Sequence, residues 1–446
     1  MEERPHAIPL DERTERMFEA WLNPKDVVFE SKEAKEAYQR RTARIRDAIQ
    51  LRVPDQVPIW FLNSGFFPCR YNGVTFEKAM YDSETWFSIN KKMILDYNPD
   101  VFLSPGLIFH ACGQAYESLG TKKMKWPGHG VNQNASFQYV EGEYMKAEEY
   151  DAFLSDMADY TIRTFLPRVF EALEPFEMLP PLKSLGITLP AISAIFTLQP
   201  LQSAFQALYQ AGLESMKWNI ATEAFMEGMK KLGFPALIGS GMIVPFDVIS
   251  DLFRGMRGSM LDMFRYPDKL LQATEKLLPM IIDLVIPAAK RSGCPGVFIA
   301  LHRGADGFMS KQQFETFYWP GLKKLLLALI EEGLTPCPFF EGDYTSRLEY
   351  LAELPRGKIL GIFDNIDIHR VKEVLGNTMC ISGLMPLSLL QVGTPEKVKD
   401  YTRLLIDVVG KGGGFIMAPR SAMDEADPVL VRVWTEFTKE YGIYHR

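Results

Sequence analysis

The feature that most constrains the fold is a series of eight short apolar runs, each bounded by turn residues. Most of them are too short for a helix, and several are rich in the β-branched and aromatic residues that strands favour. They alternate with longer segments of helical spacing, for example Lys311–Glu332, Thr394–Val409 and Ala426–Tyr441. This alternation indicates a parallel sheet, and eight such units predict an α/β fold of the (β/α)8 TIM-barrel type. The runs are Val57–Leu62, Val101–Ser104, Ala236–Ile238, Val297–Leu301, Pro336–Phe340, Ile359–Phe363, Met379–Ser382 and Phe415–Ala418.

The chain is longer than such a barrel requires, because about 250 residues are typical and this sequence has 446. We expect an N-terminal helical arm over residues 1–52, since Ser31–Arg52 is rich in strong helix formers. The barrel would then occupy residues 53–446, with a large, mainly helical insertion at about 106–233, after the second strand. Within it, Leu182–Gly212 is apolar and predicts a helical hairpin that is buried or faces another subunit. A lid over the barrel or a docking surface is the alternative.

Composition narrows the class of protein. Hydrophobic residues make up 47% and charged residues 24%, which is typical of a globular protein and excludes a disordered one. A net charge of −7 argues against a nucleic-acid partner. The sequence has no apolar run long enough for a membrane span. Five cysteines, an odd number in a long chain, fit a reducing cytoplasm better than a disulfide framework.

Candidate active-site residues are those that follow each apolar run, because barrels carry their active sites at the carboxyl ends of the strands. In Glu341-Gly342-Asp343, two carboxylates flank a glycine directly after an apolar run. Such a pair can bind a cation, or can split its pKa values so that one carboxyl keeps its proton. Helix capping is the alternative role for Asp343. We expect Glu341, Asp343, His302 and Asp306 to be catalytic, and Asn63, Arg70, His129, Arg303, Phe339, Asp364, Arg420 and Ser421 to bind substrate.

A second motif, His110-Ala-Cys112, has a spacing that zinc sites can use. It needs a third ligand from elsewhere in the chain, and Glu341 is the candidate. Zinc is therefore a possible cofactor on the sequence alone. The chain has no P-loop, no strand-linked GxGxxG, no GxSxG and no HExxH motif.

Three stretches of the second half resemble the uroporphyrinogen decarboxylase superfamily: Phe246–Gly258, Ala305–Phe314 with Trp319–Lys323, and Gly413–Pro419. Residues 41–47, ahead of the first strand, also fit the opening of that family. The resemblance covers most of the chain from about residue 41, with a poor match in the insertion. It implies a (β/α)8 barrel, in agreement with the strand count.

The superfamily includes cofactor-independent decarboxylases and methyltransferases that work with corrinoid proteins. The decarboxylase branch carries an arginine-rich signature after strand one, which is absent from Asn63–Arg70, and a histidine where this chain has Ser421. A thiol-activating zinc branch carries His-x-Cys-Gly after strand five, at positions that are Phe339 and Glu341 here. The resemblance is therefore closer to the corrinoid-dependent methyltransferases. A metal would act as a Lewis acid, or Glu341 would protonate the leaving group.

Two functions follow as hypotheses. In the first, the chain is a methyltransferase component that moves a methyl group between a small methylated substrate and a corrinoid. The substrate would be a methoxy-aromatic or a methylamine, and the corrinoid would sit on a separate protein, because no Asp-x-His-x-x-Gly motif occurs here. In the second, the chain is a lyase, a decarboxylase in which Arg70, Arg303 and Arg420 clamp a carboxylated substrate. The apolar insertion also suggests a homodimer.

Overall fold

The structure is a computed structural model that describes residues 10–62, 65–108 and 112–444. Eight strands of this part of the chain lie in two parallel sheets, and three further strands form a small separate sheet. In chain order the strands are β1 (Trp60–Phe61), β2 (Val101–Phe102), β3 (Met124–Pro127), β4 (Gly130–Val131), β5 (Gln138–Tyr139), β6 (Ile238–Ile243), β7 (Gly296–Leu301), β8 (Thr335–Asp343), β9 (Leu360–Asn365), β10 (Cys380–Met385) and β11 (Phe415–Pro419).

The parallel strands follow one another in sequence order. β1 pairs with β2, and β6 to β11 form one six-stranded sheet. Single parallel bridges, Phe102 with Ala236 and Ile59 with Met417, connect the two sheets at both of their edges. The predicted α/β class with a parallel sheet is confirmed, and each of the eight apolar runs overlaps one of these strands.

β6, the third of the eight parallel strands in chain order, is longer than predicted. β6 continues to Ile243, whereas the apolar run ends at Ile238. Gly239 and Gly241 interrupt the apolar pattern inside the strand, so periodicity alone ended it too early. β8 likewise extends to Asp343, which places the predicted Glu341 and Asp343 on the strand itself.

Helices fill the segments between the strands. The predicted helical segments after β7, β10 and β11 are confirmed, although two of them contain a π-helical turn, at Phe314–Tyr318 and Ile406–Gly410. Two more π-helical turns lie at Thr161–Phe165 and Val248–Arg254, and 3-10 turns lie at Ala147–Glu149, Glu171–Met178, Ser193–Thr197 and Thr345–Arg347. The α-helices are Leu10–Leu22, Lys32–Ile49, Phe67–Asn72, Phe76–Tyr81, Ser83–Tyr97, Pro105–Ile108, Gly113–Leu119, Tyr150–Ser155, Met157–Tyr160, Leu166–Val169, Leu182–Ile192, Gln199–Lys231, Pro245–Asp247, Gly255–Arg265, Pro267–Ser292, Lys311–Gln313, Trp319–Glu331, Leu348–Leu351, Ile368–Leu375, Leu387–Val392, Pro395–Leu405 and Pro428–Tyr441.

A central apolar cluster collects alternate side chains from all eight parallel strands. Phe18 and Trp21 of the first helix and Ile45 and Ile49 of the second pack into the same cluster. Side chains that point the other way along the strands, such as Ile299, pack against the surrounding helices. The strand residues of the central cluster are Trp60, Val101, Ile238, Cys337, Phe339, Leu360, Ile362, Cys380, Ile416 and Ala418, with Leu62, Leu103 and the partly buried Phe298 next to them.

The segment between β2 and β6 is mainly helical and carries the small sheet in the order β4-β3-β5. Its hairpin over Leu182–Gly212 is not buried within the chain, which was one of the two placements that we predicted; the other, against a second subunit, stays a prediction. Ile187 is 87% exposed and Tyr209 61% exposed, because only the other side of the hairpin packs against a satellite cluster that contains Leu173 and Phe176. Among the helices that the structure describes, none has the length and apolarity needed to cross a membrane.

Candidate functional site

The candidate site is centred on His302, which follows β7 directly. It lies four residues after Phe298 of the central cluster, in the same alternation of side chains along the strand. Its Nδ1 hydrogen-bonds the Asp251 carboxylate. Its Nε2 lies 3.6 Å from Oε1 of Glu341, at the carboxyl end of β8. About a third of the His302 side chain is exposed. The imidazole therefore stands between two carboxylates at the carboxyl ends of neighbouring strands.

Asp251 reaches His302 from the π-helical turn Val248–Arg254, which follows β6 after Pro245. Asp247 and Asp251 are four residues apart, so both face the same side of this helical segment. The Asp251 carboxylate also accepts a hydrogen bond of 3.0 Å from Nη2 of Arg303. One carboxylate thus serves two neighbouring cationic side chains.

Asp247 is a fully buried anchor beneath these two residues. Its carboxylate accepts hydrogen bonds from the backbone N–H groups of His302 (2.8 Å) and Arg303 (3.2 Å). A third bond of 2.7 Å comes from the Tyr318 hydroxyl. Burial, together with the charge of Asp251, raises the pKa of Asp247 to about 7, although the charge of His302 and these hydrogen bonds oppose the shift. Asp247 therefore fixes the turn that presents His302.

His302 carries a positive charge at neutral pH. Burial alone would lower its pKa, but the hydrogen bond to Asp251 and the negative charges of Glu341 and Asp247 outweigh burial and raise the pKa to about 9. An imidazolium donates through both ring nitrogens. With Nδ1 held by Asp251, Nε2 is the atom directed towards Glu341.

Glu341 owes its position to an irregularity at the end of β8. The pairing with β9 shifts register between Phe340 and Asp343, and Gly342 has a φ of +86°, as a bulge with a left-handed residue requires. The Gly342 N–H donates to Oδ2 of Asp364 at 3.3 Å. Partial burial, with the charges of Asp364 and Asp251, raises the pKa of Glu341 despite the opposing charge of His302. Since its side chain is 42% exposed, Glu341 combines a raised pKa with access to a ligand.

Asp306 and Asp343, which we predicted to be catalytic, both contact the loop that follows β8. Asp306 accepts hydrogen bonds from the backbone N–H (3.0 Å) and hydroxyl (2.7 Å) of Ser346 and pairs with Arg347 at 3.1 Å. Asp343 accepts from the backbone N–H and hydroxyl of Thr345, at 2.8 and 2.6 Å. These hydrogen bonds connect both carboxylates to the turn after β8. Tyr344 occupies the N-cap position of the turn Thr345–Arg347, and Asp343, one residue earlier, accepts the N–H of the first residue of that turn through its side chain.

Three of the predicted substrate-binding residues lie at the His302 site. Arg303 bonds Asp251 and also donates to the Ser250 hydroxyl at 3.1 Å. Asp364 lies next to Glu341 through the backbone of Gly342. Phe339, two residues before Glu341 on β8, is 6% exposed within the central cluster and contacts Phe298. Each of these residues therefore contacts a residue of the His302 site or lies within two positions of one.

The other predicted arginines are placed differently. We predicted that Arg420 clamps a carboxylate; its Nε donates to the carbonyl of Leu384 (3.1 Å) and its Nη2 to the Tyr401 hydroxyl (3.3 Å). Leu384 has a φ of +75°, which is uncommon for a residue with a side chain. Arg70 is exposed on the short helix Phe67–Asn72. Ser421 is partly buried in the loop after β11.

His129 belongs to a separate cluster, which we call the His129 cluster, with Tyr81, Glu117 and Trp126. Its Nε2 lies 2.7 Å from the Tyr81 hydroxyl and 3.2 Å from Oε1 of Glu117. Its ring stacks on Trp126 at 4.9 Å, and Trp126 Nε1 donates to the Tyr81 hydroxyl. These partners all come from the segments around the small sheet, and none of them is a residue of the His302 site.

The predicted metal site is incomplete in the part of the chain that the structure describes. Asn63 and His110 lie outside the described residues. Cys112 is 3% exposed, and burial raises the pKa of its thiol. No three His, Cys, Asp or Glu side chains among the described residues converge as a metal site requires.

Sequence reasoning did not select Asp251, Ser250 or Tyr318. The available signal was the Asp247-x-x-x-Asp251 spacing, because residues four apart on a helix share a face. It also missed Lys123, whose Nζ donates to the carbonyls of Asp251 (3.2 Å) and Leu252 (3.3 Å). Burial lowers the pKa of Lys123 to about 8, which the nearby charge of Asp251 partly opposes.

Comparison with known proteins shows to which family the chain is similar. The profile described as "Uroporphyrinogen decarboxylase (URO-D)" matches residues 178–441, more than half of the chain. A uroporphyrinogen decarboxylase of Chlorobium phaeovibrioides is 26% identical over 189 residues, 41% of this chain and 52% of that protein. One of Chlorobaculum parvum is 24% identical over the same shares. The chain thus spans about half the length of the curated relatives it matches.

A methyltransferase from Methanosarcina mazei has a similar structure. The TM-score is 0.58 at 16% sequence identity, and the likeness covers 91% of this chain and 98% of that one. At this identity the likeness shows a shared fold. Together with the profile match across β6 to β11, it leads to one conclusion: the chain belongs to the uroporphyrinogen decarboxylase family.

Proposed function

We propose that the chain is the methyltransferase component that moves a methyl group between a small methylated substrate and a corrinoid on a separate protein. The substrate is of the methoxy-aromatic or methylamine type. The observation that carries the proposal is the pairing of His302 with Glu341, which brings a charged imidazolium within 3.6 Å of a carboxyl group with a raised pKa. The likeness to a methyltransferase over nearly the whole of both chains supports the same class of reaction.

The chemistry of demethylation explains why an acid is needed. When the bond from methyl carbon to oxygen or nitrogen breaks, its electron pair stays on the leaving atom, and a proton on that atom lowers the barrier. Glu341 supplies this proton, because burial raises its pKa and so favours the protonated carboxyl over the carboxylate. The corrinoid, when bound on its partner protein, supplies the nucleophile that accepts the methyl group.

His302 returns the proton and holds the carboxyl in place. Its Nε2 faces Glu341, and its Nδ1 is fixed by Asp251, so the ring has one orientation. Asp247 fixes the backbone of the same residue from below. This chain of contacts positions the acid before substrate arrives, which is the condition for efficient proton transfer.

Zinc does not fit the described donor set. Glu341 and His302 would supply two ligands, but no third His, Cys, Asp or Glu of the described residues completes the group. Burial raises the pKa of the Cys112 thiol, which disfavours the thiolate that zinc needs.

We also propose that the eight parallel strands close into the predicted (β/α)8 barrel. Two bridges support closure. Phe102 pairs with Ala236, which joins β2 to the chain entering β6, and Ile59 pairs with Met417, which joins the chain entering β1 to β11. A barrel places the ends of β6, β7, β8 and β9 around one opening. That is the opening at which we expect substrate and the corrinoid partner to meet.

A two-component assay tests the proposed activity. The purified chain is incubated with a reduced corrinoid protein and with a panel of methoxy-aromatic compounds and methylamines, and methylation of cobalt is followed by absorbance. We expect one class of donor to methylate the corrinoid only when this chain is present. Failure of every donor across several corrinoid proteins would contradict the proposal.

A lyase is the second candidate, because the curated relatives are decarboxylases and a partly exposed arginine, Arg303, lies at the site. It would bind a carboxylated substrate through this guanidinium. Titration calorimetry with carboxylated ligands, on the wild type and on Arg303→Gln, separates the two candidates. Binding that the substitution abolishes would favour the lyase.

A further inference from the structure

An exposed apolar stripe runs along the helix Gln199–Lys231. It consists of Phe205, Tyr209, Gly212, Met216 and Ile220, which share one helix face because they are spaced by three or four residues. The large side chains among them are 43%, 61%, 52% and 59% exposed, in that order. A contiguous apolar surface of this kind marks an interaction site in a soluble protein.

The opposite face of this helix packs against the rest of the chain, so the stripe faces outward. Leu201 and Ala204 of the same helix are fully buried in the satellite cluster with Leu173, Phe176 and Leu179. The adjoining surface is also uncharged, because residues 184–213 contain no Asp, Glu, Lys or Arg. Depletion of charge is the compositional mark of the core of a protein interface.

The stripe is arranged symmetrically about the point between Gly212 and Leu213. Phe205 and Ile220 are equally far from this point, and so are Tyr209 and Met216. An antiparallel pair of identical helices brings such equidistant positions opposite each other. Each aromatic residue of one copy would then face an aliphatic residue of the other.

The positions of the charged residues in this helix are compatible with the same antiparallel register. Its charged residues all follow Leu213, and in the antiparallel register each of them faces an uncharged position of the other copy. Lys217, for example, faces Leu208, whereas a parallel arrangement would bring two copies of Lys217 together. Gly212 lies at the crossing point and has nothing within 4 Å of the position of a Cβ, so two backbones can approach closely there.

We propose that this stripe is a dimer interface, in which the helix Gln199–Lys231 packs antiparallel against the same helix of a second copy. The contact is isologous, so each residue pair occurs twice. It is separate from the His302 site and does not depend on the proposed methyl transfer.

Sedimentation velocity tests the proposal through charge substitutions. The wild-type chain is expected at twice its 50.8 kDa mass. Tyr209→Glu and Met216→Lys each place an unpaired charge in the apolar contact, and each is expected to weaken dimerisation at least tenfold. The double variant is expected to recover the dimer, because each Glu at 209 then faces a Lys at 216 of the other copy.

Leu284→Glu is the matched control, since Leu284 is 62% exposed on the helix Pro267–Ser292, away from the stripe. It is expected to stay dimeric. A monomeric wild type would overturn the proposal and leave the stripe to a corrinoid protein or a lipid surface. Single variants that remain dimeric, or a control that dissociates equally, would also overturn it.

Cysteine cross-linking tests the register without weakening the contact. The native cysteines, Cys69, Cys112, Cys294, Cys337 and Cys380, are all buried, so introduced thiols react selectively. Tyr209→Cys with Met216→Cys is expected to give a covalent dimer on mild oxidation. Tyr209→Cys alone is expected to give none, because the two thiols would be about 10 Å apart along the helices. Equal cross-linking of both variants would contradict the antiparallel register.

Discussion

The His302 site and the His129 cluster both join a histidine to a carboxylate, but they differ in how the histidine is held. His302 has a carboxylate on each side, and its backbone N–H is fixed by the fully buried Asp247. His129 rests on Tyr81 and Trp126, and its carboxylate partner, Glu117, is 45% exposed. The comparison shows that a buried anchor, rather than a His–carboxylate pair alone, distinguishes a candidate catalytic histidine.

The largest difference is expected in catalysis. Glu341→Gln and His302→Gln remove the proton donor and its partner, and each is expected to lower kcat of methyl transfer by about 10²–10⁴-fold. His129→Gln is expected to change kcat by less than about threefold, because its cluster is separate from the site. Stopped-flow measurement of cobalt methylation gives all three rates. An equal loss in the His129 variant would remove the distinction between the two histidines.

The next difference is expected in stability. Asp247→Ala removes the acceptor of three hydrogen bonds, one buried and two partly buried, and each group left unsatisfied costs about 1–3 kcal/mol, so we expect a loss of about 3 kcal/mol or more in the free energy of unfolding. Tyr81→Phe, in the His129 cluster, is expected to cost about 1 kcal/mol. Urea unfolding measures both. Tyr318→Phe is a graded control, since it removes only one of the three bonds to Asp247.

The pH dependence separates the histidines further. The pKa of His302 in the folded chain is about 9, above the value of about 6.5 for a free histidine. Its charge therefore stabilises the fold fully below about pH 6.5, and this contribution is lost as pH rises through about 9. We expect the difference in Tm between the wild type and His302→Gln to shrink from pH 6 to pH 10. A difference that stays constant over this range would contradict the ion pairs of His302.

The smallest effect is expected at Asp343, two residues from Glu341. Asp343→Asn weakens the hydrogen bonds to Thr345 and is expected to cost about 0.5–1 kcal/mol of stability. Methyl transfer should not change, because the carboxylate serves the turn after β8. A loss of rate comparable to that of Glu341→Gln would return Asp343 to the catalytic group.

Much of the fold was predictable because its signals are local. Apolar runs of strand length, alternating with helical segments, indicated the parallel sheet, and the ends of these runs selected His302 and Glu341. The π-helical turn Val248–Arg254 was not predictable in the same way. A seven-residue departure from regular helix leaves little trace in periodicity, although it is this turn that brings Asp251 to His302.

The sequence by itself determined which apolar runs form the parallel strands and that His302 follows one of them directly, since side-chain alternation depends on neighbours in the chain. Only the tertiary structure decided what the residues at the strand ends contact. Asp251 contacts His302 and Arg303, which are 51 and 52 residues away in the sequence, and Asp306 contacts Ser346, which is 40 residues away. Arg420 turns to Leu384 and Tyr401 for the same reason. A carboxylate or guanidinium takes the partner that packing brings within hydrogen-bond distance, and that packing depends on the whole arrangement of strands and helices.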